Sequence, residues 1–505
     1  MLKKERPLVL LVAGLDSGGG AGVTADCMTV YDNEAFPLPC VTALTCQSLK
    51  NITKVTNTDD ETFKETLEIA HRDWEGIDAI KVGLVSKQSH LEILLDKLNT
   101  DFKGVPVVWD PVLCGTAGDL YSVDLKQSLD KILPTVTIFT PNLPEALTLA
   151  AWSKDDLEKN GVEALADVFL QKGCQSVIIK GGHNQGNDSV DFFKSDYVSF
   201  TMENPRVEGE GAHGGGCALS SCLAALLASR FALHDAAVVA KAYVYQGIVN
   251  PALKALSSFD NTKTYRPPVG HLGLVKDLKY MPSVHQKGFP IENKAFPQCP
   301  LHMGLYPVVD SVEWIKRLVN LGVRTIQLRI KDKSDPKLYD KIVESVKFCK
   351  EHKARLFIDD YYELAIKAGA YGVHLGMEDL LEADVEKIKQ SGLHLGVSTH
   401  GAYETLKALQ LNPSYIALGH IFETQSKVMP SKPQGCFKLS VLQDLIKDKV
   451  PTVAIGGIKL YNVEEVLSTG VGSVALITGI TKAENPDETC KKWLNLCGTG
   501  GDEIW

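Results

Sequence analysis

Gln327, Arg329 and Lys331 alternate with Leu328 and Ile330. In a strand, alternate side chains share one face, so this run brings an amide and two cations together with the aliphatic residues on the other side. Two cations near the carboxyl end of a strand make an anion site. A solvated edge strand is the plainer alternative, against which the flanking Thr325-Ile326 and the apolar alternate face argue. Asp359 and Asp360 end a later strand pattern, and Asp379 follows the next, within His374 to Asp379. Carboxylates at successive strand ends beside an anion site suit a hard Mg²⁺ bridging protein to phosphate oxygens; Asp-Asp alone also reads as a helix N-cap. Gly456-Gly457-Ile458 and Ile477-Thr478-Gly479 close two further patterns, the phosphate-binding corner of a (β/α)8 barrel. Far from these, Gly211-Ala212-His213-Gly214-Gly215-Gly216-Cys217 runs into the helical stretch Ala218 to Ser229. Such a turn offers backbone N–H groups and a positive dipole end to phosphate. The Cys217 thiol at that terminus is expected to have a lowered pKa and to serve as base or nucleophile, the alternative being one small buried residue.

These residues need strands to carry them. From Pro7 to about Leu278, apolar runs at 9–14, 41–47, 80–85, 107–112, 137–142 and 177–182 alternate with helical patterns. The alternation predicts parallel strands with crossover helices, a doubly wound α/β sheet covered on both faces. Between 281 and 302 the pattern stops among Pro282, Pro290, Pro297 and Pro300, as expected of a linker. Eight strand windows then recur at 305–309, 325–331, 356–360, 372–376, 393–399, 415–420, 452–457 and 473–478, with helix patterns such as 312–320 and 338–351 between them. Eight βα units in under 200 residues predict a compact TIM barrel over 303–498, with a tail at 499–505. An open doubly wound sheet is the structural alternative.

At 505 residues the chain exceeds one hydrophobic core, so residues 1–280 are expected to form a separate domain. Its 44% hydrophobic and 23% charged content is ordinary for a globular protein. A net charge of −9 argues against nucleic acid and anionic membranes as partners. The run Leu8 to Ala13, cut short by Asp16, reads as a buried strand rather than a signal peptide, and no run is long enough to span a membrane. Twelve cysteines without a Cys-x-x-Cys pair fit reduced thiols in a cytoplasm.

Gly304 to Asp310, Gln327 to Lys331, His374-Leu375-Gly376, Gly396 to His400, Thr424-Gln425-Ser426-Lys427 and Val453 to Ile458 resemble, in order, the thiamine phosphate synthase family across about 303–498. The resemblance implies that Arg329, Lys331 and Lys427 hold the diphosphate of hydroxymethylpyrimidine diphosphate, and Asp360 and Asp379 hold Mg²⁺. It further implies that Gln327 and Ser398 address the pyrimidine end, that Thr424, Ser426, Gly457 and Thr478 take the thiazole phosphate, and that Asp359 and Ile477 are further substrate-binding residues. Diphosphate departs, a pyrimidine-methyl cation forms, and the thiazole nitrogen captures it, so cations that stabilise the leaving group are the expected catalysts. Three positions depart from the family pattern: Asp359 for its usual Asn, Met377 for Gln and Ser426 for Thr. Asp359 exchanges an amide donor for an acceptor and adds negative charge near the diphosphate.

A second resemblance covers about 7–275. Ala13 to Asp16, Gly19 to Gly22, Thr42-Ala43-Leu44 with Gln47, Lys81 to Leu84, Asp110-Pro111-Val112, Thr140 to Ala146, Lys180 to His183 and the Cys217 loop look like hydroxymethylpyrimidine (phosphate) kinase, a ribokinase-like fold. It implies Cys217 as catalytic base, the amides of Gly214, Gly215 and Gly216 as anion hole, Asn142, Glu145 and Lys180 near ATP and Mg²⁺, and Asp16 with Gln47 at the pyrimidine ring. Here the family's Asp-Pro-Ser-Gly-Gly becomes Asp16-Ser17-Gly18-Gly19-Gly20, and its Gly-Thr-Gly-Cys-Thr becomes Gly214 to Ala218, which removes a hydroxyl at Gly215.

Both resemblances together imply a bifunctional thiamine biosynthesis enzyme that binds small pyrimidine and thiazole phosphates and ATP. Association of like chains is left open. The alternatives are a catalytically silent N-terminal regulatory domain on an active synthase, and a pyridoxal-type kinase fused to another phosphate-binding barrel.

Overall fold

Leu8 to Ala13 carries no polar side chain, and a strand of that kind needs cover on both faces; all six residues are buried. In the computed structural model, which describes residues 6–47, 52–74, 76–113, 123–182, 186–207, 212–251, 267–424 and 432–500, this run belongs to the first strand of the first of two units, Met1–Gln286 and Lys287–Trp505. The first unit contains β1 (Leu8–Asp16), β2 (Phe36–Gln47), β3 (Ile52–Asn57), β4 (Ala79–Val82), β5 (Val107–Trp109), β6 (Ile138–Phe139), β7 (Ser176–Ile179), β8 (Asp188–Ser195), β9 (Ser199–Pro205) and β10 (Ser283–His285). They form one ten-stranded sheet in the order β10-β9-β8-β7-β6-β5-β4-β1-β2-β3.

The expected strands make its parallel centre, with β1 between β2 and β4. The flanks differ from expectation: β3 and β8 to β10 run antiparallel. Those segments mix Asp188, Asp191 and Lys194 with partly exposed positions, so no solid apolar run announces them. Sheet order runs outward from β1 in both directions, and the strand ends at that switch point form the crevice where α/β sheets bind ligands. The helix Gly215–Ala228 begins there and buries every residue from Ala218 to Ala228.

The second unit is the closed parallel eight-stranded barrel expected. Its strands are β11 (Gly304–Val309), β12 (Thr325–Leu328), β13 (Arg355–Asp359), β14 (Gly372–Leu375), β15 (His394–Thr399), β16 (Tyr415–Gly419), β17 (Thr452–Ile455) and β18 (Ser473–Leu476). The helices Val312–Asn320 and Leu338–Glu351 have the bounds their periodicity predicts. One boundary matters chemically: β12 ends at Leu328, so Arg329 and Lys331 lie beyond the strand rather than in it. The stretch 281–302 expected as a linker departs from that reading at its start, where Ser283–His285 form β10 on the edge of the first sheet; further on it is irregular and seated on the barrel, where Glu292, Phe296 and Cys299 donate backbone N–H to the carbonyls of Gln410, Asn412 and Ser414.

Inside the barrel Tyr306, Phe357 and Tyr415 pack edge to face. The Tyr415 hydroxyl is hydrogen-bonded to that of Tyr306 (2.8 Å) and to His374 Nδ1 (2.7 Å). Gly396 makes room for this ring, since a Cβ there would lie 2.2 Å from Tyr415 Cζ. Gly396→Ala is therefore expected to overpack the barrel interior and destabilise it by about 2 kcal/mol, read as a lower urea midpoint of the barrel transition; an unchanged midpoint would contradict this packing.

Candidate functional site

At the carboxyl end of β12 and β13, three side chains lock together. Gln327 Nε2 donates to Asp359 Oδ1, and Arg329 Nε donates to Asp359 Oδ2 at 2.9 Å. Gln327 and Asp359 are buried, whereas Arg329 is only partly so. Burial pushes the Asp359 carboxyl up to about 7, the charge of Asp360 adds to the rise, Arg329 opposes it, and Asp379 contributes further. Asp360 and Asp379 thus act on the same point from neighbouring strand ends. Both are exposed, and Asp379 accepts from the Gly376 N–H at 3.0 Å as it opens the turn Asp379–Glu382. Among the described residues no three His, Cys, Asp or Glu side chains converge as a self-sufficient metal cage. Two exposed carboxylates beside a phosphate site are nonetheless the donor set that Mg²⁺ uses when phosphate oxygens and water complete its octahedron.

Deeper in the barrel His374 joins this site to the tyrosine pair, with Nε2 2.8 Å from Ser398 Oγ. Burial, and secondarily the Arg329 charge, push its pKa down to about 4, so it is neutral at pH 7, with one ring nitrogen donating and the other accepting. Across the mouth Gly457 has φ +67°, and a Cβ there would sit 2.5 Å from the Glu423 carbonyl oxygen. That backbone conformation favours glycine and leaves the strand end open to a ligand. Ile477 and Thr478, both half-buried, open the single turn Thr478–Thr481.

In the first unit Asp16 ends β1 and collects three donors: Gly18 N at 2.8 Å, Ala21 N at 2.9 Å and His213 Nε2 at 3.2 Å. Burial acts to raise its pKa, but the His213 and backbone hydrogen bonds prevail and hold it below the usual carboxylate range. Gln47 Nε2 lies 3.4 Å from the same His213 nitrogen. Gly214, at φ +80°, caps the helix Gly215–Ala228, and a Cβ on it would meet the Gly20 carbonyl oxygen at 1.9 Å. The two glycine loops therefore touch backbone to backbone.

Next to the helix start, Lys180 Nζ donates to Asp110 Oδ1 at 2.7 Å, and both groups lie within 3.4 Å of where a Gly216 Cβ would be. Asn142 and Glu145 form a reciprocal capping box, Glu145 N to Asn142 Oδ1 at 2.9 Å and Asn142 N to Glu145 Oε2 at 2.8 Å. Burial raises the Glu145 pKa to about 7, with Lys180 opposing and Asp110 reinforcing. Cys217 corrects an expectation. Although the residue is half-buried, its thiol is enclosed, and desolvation pushes it up to about 11 despite the opposing charge of Lys81. A helix N-terminus lowers a thiol pKa only where desolvation does not outweigh it. Beneath it, the wholly buried Lys81 pairs with Asp26 at 2.7 Å, and Ser221 Oγ donates to the same carboxylate.

Comparison with known proteins separates the two halves. A family model described as phosphomethylpyrimidine kinase matches residues 16–259, and one described as thiamine monophosphate synthase matches residues 305–480. Over 207 residues the chain is 52% identical to the thiamine-phosphate synthase of Citrobacter koseri, spanning 41% of this chain and 98% of that protein. The chain belongs to the thiamine-phosphate synthase family. A second relative, the thiamine-phosphate synthase of Proteus mirabilis, is 54% identical over 204 residues, 40% of this chain and 94% of its own length. Among solved structures, a phosphomethylpyrimidine kinase from Clostridium difficile is 25% identical over 47% of this chain and 98% of its own, with a TM-score of 0.40, at which the likeness carries no weight of its own. The chain thus joins a kinase domain to a thiamine-phosphate synthase domain, two enzymes of thiamine biosynthesis, and a catalytically silent first half is not favoured. Among the described residues no helix is long and apolar enough to cross a membrane.

Of the residues expected in the synthase half, the structure brings together Gln327, Arg329 and Asp359, with Asp360 and Asp379 acting on the same carboxyl. Lys331 is exposed beyond the strand end, and Thr424 is half-buried. Ser426 and Lys427 lie outside the described residues, as do Gly211 and His183. Two residues escaped assignment of a role. His374 pairs in register with Gly396, two positions before Ser398, so strand alternation alone puts His374 and Ser398 on one face. His213 gave no such signal, because its partner Asp16 is 197 residues away.

The Asp359 carboxyl gives a signed prediction for this site. Its folded pKa lies above its unfolded value of 3.8, so the folded state binds more protons between pH 3.8 and about 7, and its contribution to stability falls as pH rises through that window. Asp359→Asn is therefore expected to raise the melting temperature of the barrel more at about pH 7.5 than at about pH 5. A pH-independent difference would contradict the shift.

Proposed function

We propose that the first half transfers phosphate from ATP to 4-amino-5-hydroxymethyl-2-methylpyrimidine and then to its monophosphate. The second half joins the resulting diphosphate to 4-methyl-5-(2-phosphooxyethyl)thiazole, giving thiamine phosphate and pyrophosphate. The observation that carries this assignment is the barrel mouth, where the Arg329 guanidinium and the carboxylates of Asp360 and Asp379 act on the Asp359 carboxyl. That combination suits a diphosphate leaving group and its counter-ion at the end of a barrel strand.

Arg329 holds the departing diphosphate, assisted by Lys331 and Lys427. Gln327 and Ser398, the latter oriented by neutral His374, bind the pyrimidine. Thr424, Ser426, Gly457, Ile477 and Thr478 receive the thiazole phosphate. Asp360 and Asp379 are the residues that would hold Mg²⁺, which supplies positive charge to the phosphate oxygens. Rupture of the C–O bond leaves its electron pair on the diphosphate, and the thiazole nitrogen lone pair forms the new C–N bond. No proton transfer is needed, in keeping with a site that offers cations and a neutral histidine rather than a general base.

In the kinase half Asp16 and Gln47, with His213 beside both, bind the pyrimidine. The amides of Gly214, Gly215 and Gly216 and the Lys180 ammonium face the transferred phosphate, with Asn142 and Glu145 on the ATP side. In its thiolate form Cys217 takes the hydroxyl proton as that oxygen attacks. Its burial makes it a poor acid, and the buried Lys81 ammonium is the charge that favours its ionised form.

Two variants separate the halves. Cys217→Ala is expected to lower ATP-dependent diphosphate formation by at least about a hundredfold while leaving synthesis from supplied diphosphate intact. Arg329→Ala is expected to do the reverse, with a loss of similar size. Loss of both activities in either variant, or of neither, would contradict the division of labour. Faster turnover of pyridoxal than of the pyrimidine would transfer the first half to a pyridoxal kinase.

A further inference from the structure

We propose that residues 267–273 are a positioning strap for the phosphate site of the first half, in which the Val269 N–H holds the His213 carbonyl and thereby aims the Gly214 N–H. The inference rests on the assignment of the Gly214 amide to the transferred phosphate made above.

The strap binds both sides of one residue's backbone. His213 N donates to the Pro267 carbonyl at 2.9 Å, and Val269 N donates to the His213 carbonyl at 3.2 Å, a parallel bridge opposite Pro268. The His213 carbonyl and the Gly214 N–H belong to one peptide group. In a planar trans peptide these two bonds point in opposite directions, so a carbonyl held by Val269 turns the Gly214 N–H away from the strap. Gly214 itself has no Cβ to restrict it, and the helix Gly215–Ala228 beyond it starts without a side-chain cap. The orientation of this amide therefore depends on the contact with the strap.

At its far end the strap is anchored in turn. Asp32 Oδ2, at the end of the helix Gly22–Asp32, accepts from Gly273 N at 2.6 Å and from the Tyr243 hydroxyl at 3.0 Å, and that hydroxyl lies 2.9 Å from His271 Nδ1. Between the two ends the strap lies flush on the helix Leu233–Val249. Gly270 N donates to the Gly247 carbonyl at 2.9 Å, and a Cβ on Gly270 would meet the Asn250 carbonyl oxygen at 2.0 Å. Two helices thus fix the strap, and the strap fixes the amide. Phosphoryl transfer is catalysed by groups positioned for the transition state, so a misaimed amide costs rate more than affinity.

The test compares Val269→Pro, which deletes the N–H, with Val269→Ala, which keeps it, measuring kcat and KM of the full chain for ATP-dependent phosphorylation of the hydroxymethylpyrimidine. Val269→Pro is expected to lower kcat at least about tenfold with both KM values within about threefold, and Val269→Ala to keep kcat within about threefold. A retained melting transition of the first unit shows that the variant is folded. If Val269→Pro does not fold, Tyr243→Phe releases the far anchor without altering the strap's backbone, and its kcat is expected to fall at least about threefold with KM values likewise held. A smaller fall of kcat in the variant tested, a fall beyond about threefold in Val269→Ala, or a loss carried by KM overturns the proposal. If the unaltered chain phosphorylates no pyrimidine, it is the proposed function of the first half that fails.

Discussion

A strand whose neighbours run parallel to it ends on the same side as they do. In both halves of this chain that constraint gathers residues distant in sequence at one set of strand ends: Asp16 at the end of β1 with Gln47 at the end of β2, and Asp359 at the end of β13 with Asp379 beyond β14 and Gly457 beyond β17. Everything polar at these sites depends on it. The strands themselves are nearly continuous aliphatic runs, buried on both faces, and they leave charged and flexible residues only where the chain emerges. The antiparallel strands β3 and β8 to β10 stay at the flanks of the sheet, away from the switch point at β1.

Charge at those ends is handled by pairing rather than by solvent. Lys81 with Asp26, Lys180 with Asp110 and Arg329 with Asp359 are each held within 2.9 Å. Buried pairs of this kind add little net stability, because desolvation offsets the attraction. Their consequence is directional: each fixes a cation or an amide at one angle, and electrostatic catalysis depends on such preorganisation. The cost shows in the displaced pKa values of Asp359, Glu145 and Cys217, each raised chiefly by burial.

The barrel was legible because eight short apolar windows with helical spacers leave few alternatives, and the helices Val312–Asn320 and Leu338–Glu351 follow from periodicity alone. Gln327 and Arg329 were legible as one face, and they do converge, though on Asp359 and from either side of the strand end. What sequence could not convey was the depth of the sites. Proximity of Cys217 to a helix terminus suggested an acidic thiol, and only the folded chain shows that desolvation prevails. The antiparallel flanks stayed hidden because half-exposed strands mix polar and apolar residues much as loops do. His213 was invisible as a functional residue, since nothing local links it to Asp16.

That two consecutive chemical steps are carried by one chain is tested most directly by supplying the full protein with hydroxymethylpyrimidine, ATP, Mg²⁺ and the thiazole phosphate and following thiamine phosphate by chromatography. Formation of thiamine phosphate with two ADP released per product is the expected result. Product only when the pyrimidine diphosphate is supplied directly would contradict it, leaving a working synthase attached to an inert kinase domain.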